Sequence, residues 1–266
     1  MLSTRTIAFC GLALACAALL EGCRKSGRRV VTVLGSTSIE PFAEMLAEEY
    51  NARQGAIEVE VLGGGSTAGI QAVRTGIAQI GMCSRGLKPQ EHFTPIVIAR
   101  DGIAMVVHPS NPVKDLSLSQ IRDLFSGRVG NWREVGGADS PVRLITREEG
   151  SGTREAFVKL VMGGERISRY ALTQESNGAV KELVRHDPSA IGYMSLGLVG
   201  PELRSLDVNA AQPTSENVAN GSYPLVRPFL FVVSGPPSAE AQLFISFVLS
   251  SDGQRMLERE GLVRAK

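Results

Sequence analysis

The chain is short of the residues on which most enzyme chemistry relies. It has three histidines in 266 residues, His92, His108 and His186, and none lies in a motif that would make it a base or a metal ligand. Spacings such as His-Glu-x-x-His or paired Cys-x-x-Cys are absent, so neither a metal nor a cofactor is implied. The Gly-x-Ser-x-Gly elbow is missing, which leaves a hydrolase reading with Ser66 or Ser151 as nucleophile without a frame. "GGGSTAGI" lacks the lysine of a nucleotide-binding P-loop. Charge of one sign is lacking too. A net charge of +1 gives no footprint for nucleic acid, and the dense basic run "RKSGRR" is confined to 24–29, so any recognition of anions must be local.

Cysteine is scarce, and its four positions exclude a disulfide framework. The opening "MLSTRTIAFCGLALACAALLEGC" joins a positive Arg5 to an apolar run, Ile7 to Leu20, too short to span a membrane comfortably. This pattern predicts an export signal. Its end, "LLEGC", resembles a bacterial lipobox, with Glu21 departing from the small or aliphatic residue usual there. The expectation is a lipoprotein signal peptide over 1–22, lipid on Cys23 and a polar leash over 23–29. A plain signal peptide cut nearby is the alternative. Cys10 and Cys16 would leave with the signal, and Cys83, in the apolar "AQIGMCSRG", reads as a small buried hydrophobe.

What is present is an ordinary globular composition, 43% apolar and 21% charged, arranged in repeated units. "VVTVLG" reads as a strand and "PFAEMLAEEYNAR" as a helix with proline in its first turn. "IEVEVLG", a glycine-rich turn, the helix "AGIQAVRTG" and the strand "AQIGMCS" follow. This alternation predicts an α/β fold with parallel strands, whose ligands bind at the strands' carboxyl ends. Two long extended segments, near 96–107 and 223–233, bracket the middle of the chain. They predict two lobes joined by a pair of crossings, with a cleft between the lobes as the ligand site.

Three loops then share one chemistry: "GSTSI" after the first strand, "GGGSTAG" after the second, and "REEGSGT" in the middle portion. Each offers hydroxyls and free N–H groups at a helix start, which suits a tetrahedral oxyanion held dry by dipoles and a fixed cation. Arg147 is the candidate cation. Its glycines would let the backbone approach a ligand closely. The plainer reading of "REEGSGTREAF" is a helix cap made by Ser151 or Thr153. Glu148 and Glu149 are expected to be solvated loop carboxylates, and Arg154 to face solvent.

With "GSTSIEPFAE", "GGGSTAGI", "IGMCSRGLKPQE", "HPSNPVKDLSLSQIRDLFSGRVGNW", "REEGSGTREAF", "NGAVKELV", "AIGYMSLG" and "YPLVRPF" in order, the chain resembles the phosphate-binding lipoproteins of high-affinity phosphate ABC transporters (the PstS type). The resemblance implies a two-lobed periplasmic-binding-protein fold (type II), with two mixed sheets flanked by helices and a hinge of two crossover segments. Lobe 1 would comprise 30–107 plus 223–266, and lobe 2 would comprise 108–222. It implies phosphate contacts from Ser38, the Ile39 backbone, Ser66, Arg147, Ser151, Gly152 and Thr153, with Thr37, Arg85, Asn177 and Gly178 as further candidates. Ser84 stands where the longer relatives carry an aspartate that accepts the phosphate proton, so the carboxylate expected to exclude sulfate is missing. The partners implied are inorganic phosphate, the permease subunits with their ATPase, and a membrane held through lipid. The protein would be an exported monomer, periplasmic or on the cell surface. An oxyanion sensor, or a receptor for another tetrahedral anion such as sulfate, would use the same site.

Overall fold

A computed structural model describes residues 29–53 and 55–265. The expected signal peptide, Cys23 and the leash as far as residue 28 lie outside the described residues. The first half runs β1 (Arg29–Gly35), α1 (Glu40–Arg53), β2 (Ile57–Gly63), α2 (Ser66–Arg74), β3 (Ile80–Cys83) and the long β4 (Thr94–Val107). Then come β5 (Asp115–Leu116), α3 (Leu118–Ser126), β6 (Arg143–Arg147), α4 (Gly152–Phe157), β7 (Leu172–Gln174), α5 (Asn177–His186), β8 (Ala190–Ser195) and β9 (Arg204–Val208). The chain returns through α6 (Ser215–Asn220) and β10 (Val226–Val233) to α7 (Ala239–Leu249), α8 (Ser251–Arg259) and β11 (Val263–Arg264).

Local sequence explains these elements. In α1 the buried residues Phe42, Ala43, Leu46, Ala47 and Tyr50 recur at helical spacing, giving one apolar face. Helix α3 starts at a capping box of Ser117 and Gln120 and stops at Gly127 in the left-handed region. In β4 every residue from Ile103 to Val107 is buried, so this half of the strand is covered on both faces.

Strand β4 is what makes the fold two-lobed. Its fourteen residues reach about 46 Å at roughly 3.3 Å each, long enough to serve two sheets. Up to Gly102 it pairs antiparallel with β10, and from Ile103 it pairs antiparallel with β8. The two expected sheets therefore share a strand and form a continuous path, β2-β1-β3-β10-β4-β8-β6-β7. Strands β2, β1 and β3 are mutually parallel, as are β8, β6 and β7. One core gathers Val33, Leu46, Tyr50, Phe229, Phe231 and Phe244. A second gathers Met105, Phe125, Trp132, Phe157, Tyr193 and Leu206, with Phe157 stacked on Tyr193 at 4.1 Å. A smaller cluster, including Val106, Ile145 and Val180, fills the opposite face of the second sheet.

The position of α2 depends on one close approach. A β-carbon at Gly69 would come within 2.6 Å of the Leu34 carbonyl oxygen and 2.9 Å of the Met82 oxygen, both backbone atoms that cannot swing aside. Gly69→Ala is expected to cost about 1–3 kcal/mol through overpacking. At Gly130 an added β-carbon meets nothing within 4 Å. Gly130→Ala should therefore stay within about 0.5 kcal/mol of wild type. Denaturant midpoints of the two variants check this.

Candidate functional site

The hydroxyl-bearing loops converge. Thr37, Ser38 and Ile39 follow β1, Ser66 follows β2, Ser84 follows β3, and the stretch from Arg147 to Thr153 joins β6 to α4, all at carboxyl ends of parallel strands. Asn177 joins them from the start of α5. Ser38, Ser66, Ser84, Arg147, Ser151, Thr153 and Asn177 are each 2% exposed or less. The site is thus dry, and every polar atom in it needs a partner.

Arg147 lacks one. Its Nε donates to Gln174 O at 3.1 Å and to Glu148 Oε2 at 3.0 Å. Its Nη2 donates to Thr37 Oγ1 at 3.0 Å, Glu175 O at 2.9 Å and Glu148 Oε1 at 3.1 Å. Nη1 is buried and bonds to nothing. A guanidinium fixed on two edges thus keeps one charged N–H group able to donate to an acceptor. Glu148 departs from the solvated role expected of it: three-quarters buried, it is the forked partner of Arg147, because burial of the arginine demands a counter-charge. Glu149 is solvated as expected, 93% exposed. Arg154 is only about a quarter exposed; its Nη1 turns back to the Arg147 carbonyl at 2.7 Å, satisfying a strand-end oxygen.

The hydroxyls bond among themselves, some within the first lobe and some across the cleft. Ser36 Oγ donates to Ser84 Oγ at 2.8 Å, and the Ser84 amide donates to Ser66 Oγ at 3.0 Å. Ser38 Oγ lies 2.8 Å from Thr153 Oγ1 and accepts from Asn177 Nδ2 at 2.9 Å. Gly152 must be glycine here, since a β-carbon would sit 2.2 Å from Ser66 Oγ and 2.5 Å from Ser84 Oγ. Ser151 does cap α4, accepting from the Arg154 amide at 3.3 Å. Capping uses a lone pair and leaves the hydroxyl hydrogen for another acceptor, so the cap and the seat are compatible. The Ile39 amide closes a turn onto Ser36 O at 3.0 Å.

Two candidates stand apart. Arg85 forks onto Glu91 at 2.8 Å for each nitrogen and sets its Nε 3.1 Å from Glu155 Oε2. The hydrogen bond from Arg85 holds the Glu91 carboxyl below the usual carboxylate range. Gly178 is exposed at the start of α5. Lys88 also reaches Glu155, at 2.6 Å, and the Thr67 amide donates to Gly150 O at 3.1 Å, so the rims of the two lobes touch. Beside these contacts opens a groove of about 960 Å³, lined by Lys88, Arg154, Glu155, Lys159 and Arg166 among others.

Sequence reasoning missed Asp101 and Arg227, a buried pair behind the hydroxyls. Arg227 Nε and Nη2 donate to Asp101 Oδ2 at 2.9 and 2.8 Å, and Nη1 donates to Thr153 Oγ1 at 2.6 Å. A signal was available: Arg227 is a lone charge inside the apolar run "YPLVRPFLFVV", and Asp101 interrupts the long extended segment ending in "ARDGIAMVV", beside Arg100.

Comparison with known proteins agrees with this geometry. A family model described as the PBP superfamily domain matches residues 24–252. The phosphate-binding protein PstS of Bacillus subtilis (strain 168) is 29% identical over 233 residues, which cover 85% of this chain and 77% of that protein. A substrate-binding protein from Clostridium perfringens, named for a phosphate ABC transporter and crystallised with bound phosphate, is 38% identical. It superposes with a TM-score of 0.87 over 90% of this chain and 100% of its own. An ABC-type phosphate transport receptor from Vibrio cholerae is 36% identical, with a TM-score of 0.76 over 88% of this chain and 99% of its own.

Proposed function

We propose that this chain, which belongs to the PBP superfamily and within it to the phosphate-binding proteins of the PstS type, captures one inorganic phosphate between its lobes and delivers it to an ABC transporter. The observation that carries the reading is the bare Nη1 of a fully buried Arg147, set among hydroxyls from both lobes. The anion would take up that N–H, the hydroxyl hydrogens of Ser66, Ser84 and Ser151, the one hydrogen that the Ser38–Thr153 contact leaves over, and the amides of Gly152 and Thr153, which α4 leaves without an intrahelical partner. Thr37 and Asn177 position Arg147 and Ser38. The protein would act as a monomer, binding without catalysis. Lobe 1, residues 30–107 and 223–266, would close on lobe 2, residues 108–222, about the crossings of β4 and β10.

Delivery implies permease subunits with an ATPase as partners, and an exported chain held at a membrane. Lipid on Cys23 fits that role, because two or more acyl chains at about 0.8 kcal/mol per buried methylene give stable anchoring. Cys23→Ser should move the protein out of the detergent phase in a partition assay, and unchanged partitioning would exclude the anchor.

Arg147→Ala should weaken phosphate binding by tens- to thousands-fold, about 2–5 kcal/mol, as expected for losing a charged partner in a dry site. Arg154→Ala acts on the seat only through the Arg147 carbonyl and should weaken binding by less than about tenfold. Calorimetric titration of both variants checks this, and equal small effects would remove the seat from the cleft.

A specific observation keeps the wider anion reading in view. Both carboxylates near the seat are occupied, Glu148 by Arg147 and Asp101 by Arg227 and Ser195. Ser84, a neutral group, stands alone in the place where a carboxylate would repel sulfate. Phosphate should still be preferred, by a margin that Ser84→Asp widens by about tenfold or more. Competition of labelled phosphate by sulfate measures it. If wild type already ignores a large sulfate excess and Ser84→Asp only weakens phosphate binding, another acceptor discriminates.

A further inference from the structure

The pair Asp101–Arg227 belongs to a closed ring of hydrogen bonds that runs from the hinge strands to the seat. Asn177 Nδ2 donates to Ser38 Oγ, which lies 2.8 Å from Thr153 Oγ1, and Thr153 accepts from Arg227 Nη1 at 2.6 Å. Arg227 forks onto Asp101 Oδ2, Asp101 Oδ1 accepts from Ser195 Oγ at 2.9 Å, and the Ser195 amide donates to Asn177 Oδ1 at 3.1 Å. All six residues are 2% exposed or less. Asp101 and Arg227 face each other across β4 and β10, one residue before β4 passes from one sheet to the other at Gly102.

The ring fixes which way two hydroxyls point. Ser38 Oγ has accepted an N–H from Asn177, and Thr153 Oγ1 has accepted one from Arg227. The contact between the two oxygens uses one of their two hydrogens, whichever atom donates. The second hydrogen is left over and must point out of the ring, while only one of the four lone pairs stays unused. Without Arg227 Nη1, Thr153 would regain a lone pair and could turn it toward the ligand instead.

We infer that Arg227, oriented by Asp101, is a positioning and specificity-determining residue of the anion seat: through Thr153 it makes the Ser38–Thr153 corner a donor toward the anion. This rests on the reading of the seat as a phosphate site. The corner therefore offers the anion one hydroxyl hydrogen and no more than one lone pair, which favours an unprotonated oxygen over a P–OH group there.

The test is a double-mutant cycle on the full chain, read by calorimetric titration with inorganic phosphate. The first variant, Asp101→Asn with Arg227→Gln, leaves no unpaired buried charge. The second, Arg227→Lys, keeps a cation for Asp101 but loses the fork that also reaches Thr153. Each is made with Thr153 present and with Thr153→Val, with melting curves to establish folding, and if the first variant does not fold the second decides. With Thr153 present, each should weaken phosphate binding by roughly ten- to a hundredfold, the range for one charge-assisted hydrogen bond. With Thr153→Val, each should lie within about twofold of Thr153→Val alone. Equal losses in both backgrounds would make the pair a structural element only, and binding within about twofold of wild type with Thr153 present would remove it from the seat altogether. A wild type that takes no phosphate overturns the phosphate reading itself and this inference with it, which the first titration shows before any variant is made.

Discussion

The structure is organised around a guanidinium that has been taken out of water and only partly repaid. Arg147 is 1% exposed, and its Nε and Nη2 are held by Glu148, Thr37 and two backbone carbonyls. Leaving the remaining edge without an acceptor costs about 1–3 kcal/mol or more for a charged donor. A protein can tolerate that cost where an anion will recover it. The same reasoning explains the surrounding glycines and serines: backbone and hydroxyl donors can crowd such a spot only where no β-carbon intervenes, as between Gly152 and the oxygens of Ser66 and Ser84.

Closure and binding draw on the same atoms. Arg147 and Thr153 come from the part of the chain between the crossings, whereas Thr37, Ser38, Ser66 and Ser84 come from the part before them. An anion held between these groups would bridge the two parts of the chain, so its binding energy would depend on the lobes being together. The rim contacts, Lys88 and Arg85 to Glu155 and Thr67 to Gly150, add to closure but are partly exposed and contribute modestly. The hinge strands reach the seat directly through Arg227.

Much of this was legible in the sequence, for identifiable reasons. A Gly-Ser loop after an apolar strand has few conformations open to it, so the loops at Ser38, Ser66 and Ser151 could be placed at strand ends before any coordinates. The crossings were legible as two unusually long apolar runs, which became β4 and β10. What stayed hidden depends on tertiary pairing. Nothing local distinguishes Glu148 from Glu149, yet one is the partner of Arg147 and the other is solvated. Asp101 and Arg227 are 126 positions apart and declare themselves only when β4 and β10 are laid side by side. Arg85 looked like a cation for the seat because of its place beside Ser84, but its side chain runs the other way, to Glu91.

If an anion binds this protein, the unpaired Nη1 of Arg147 should sit against it. The most direct measurement is a crystal structure of the protein with inorganic phosphate. One phosphate per chain is expected, with an oxygen about 2.9 Å from Arg147 Nη1 and others on the hydroxyl of Ser66 and the Ser38–Thr153 pair. A phosphate found instead in the charged groove between Lys88 and Arg166, with Arg147 Nη1 still bare, would contradict that placement.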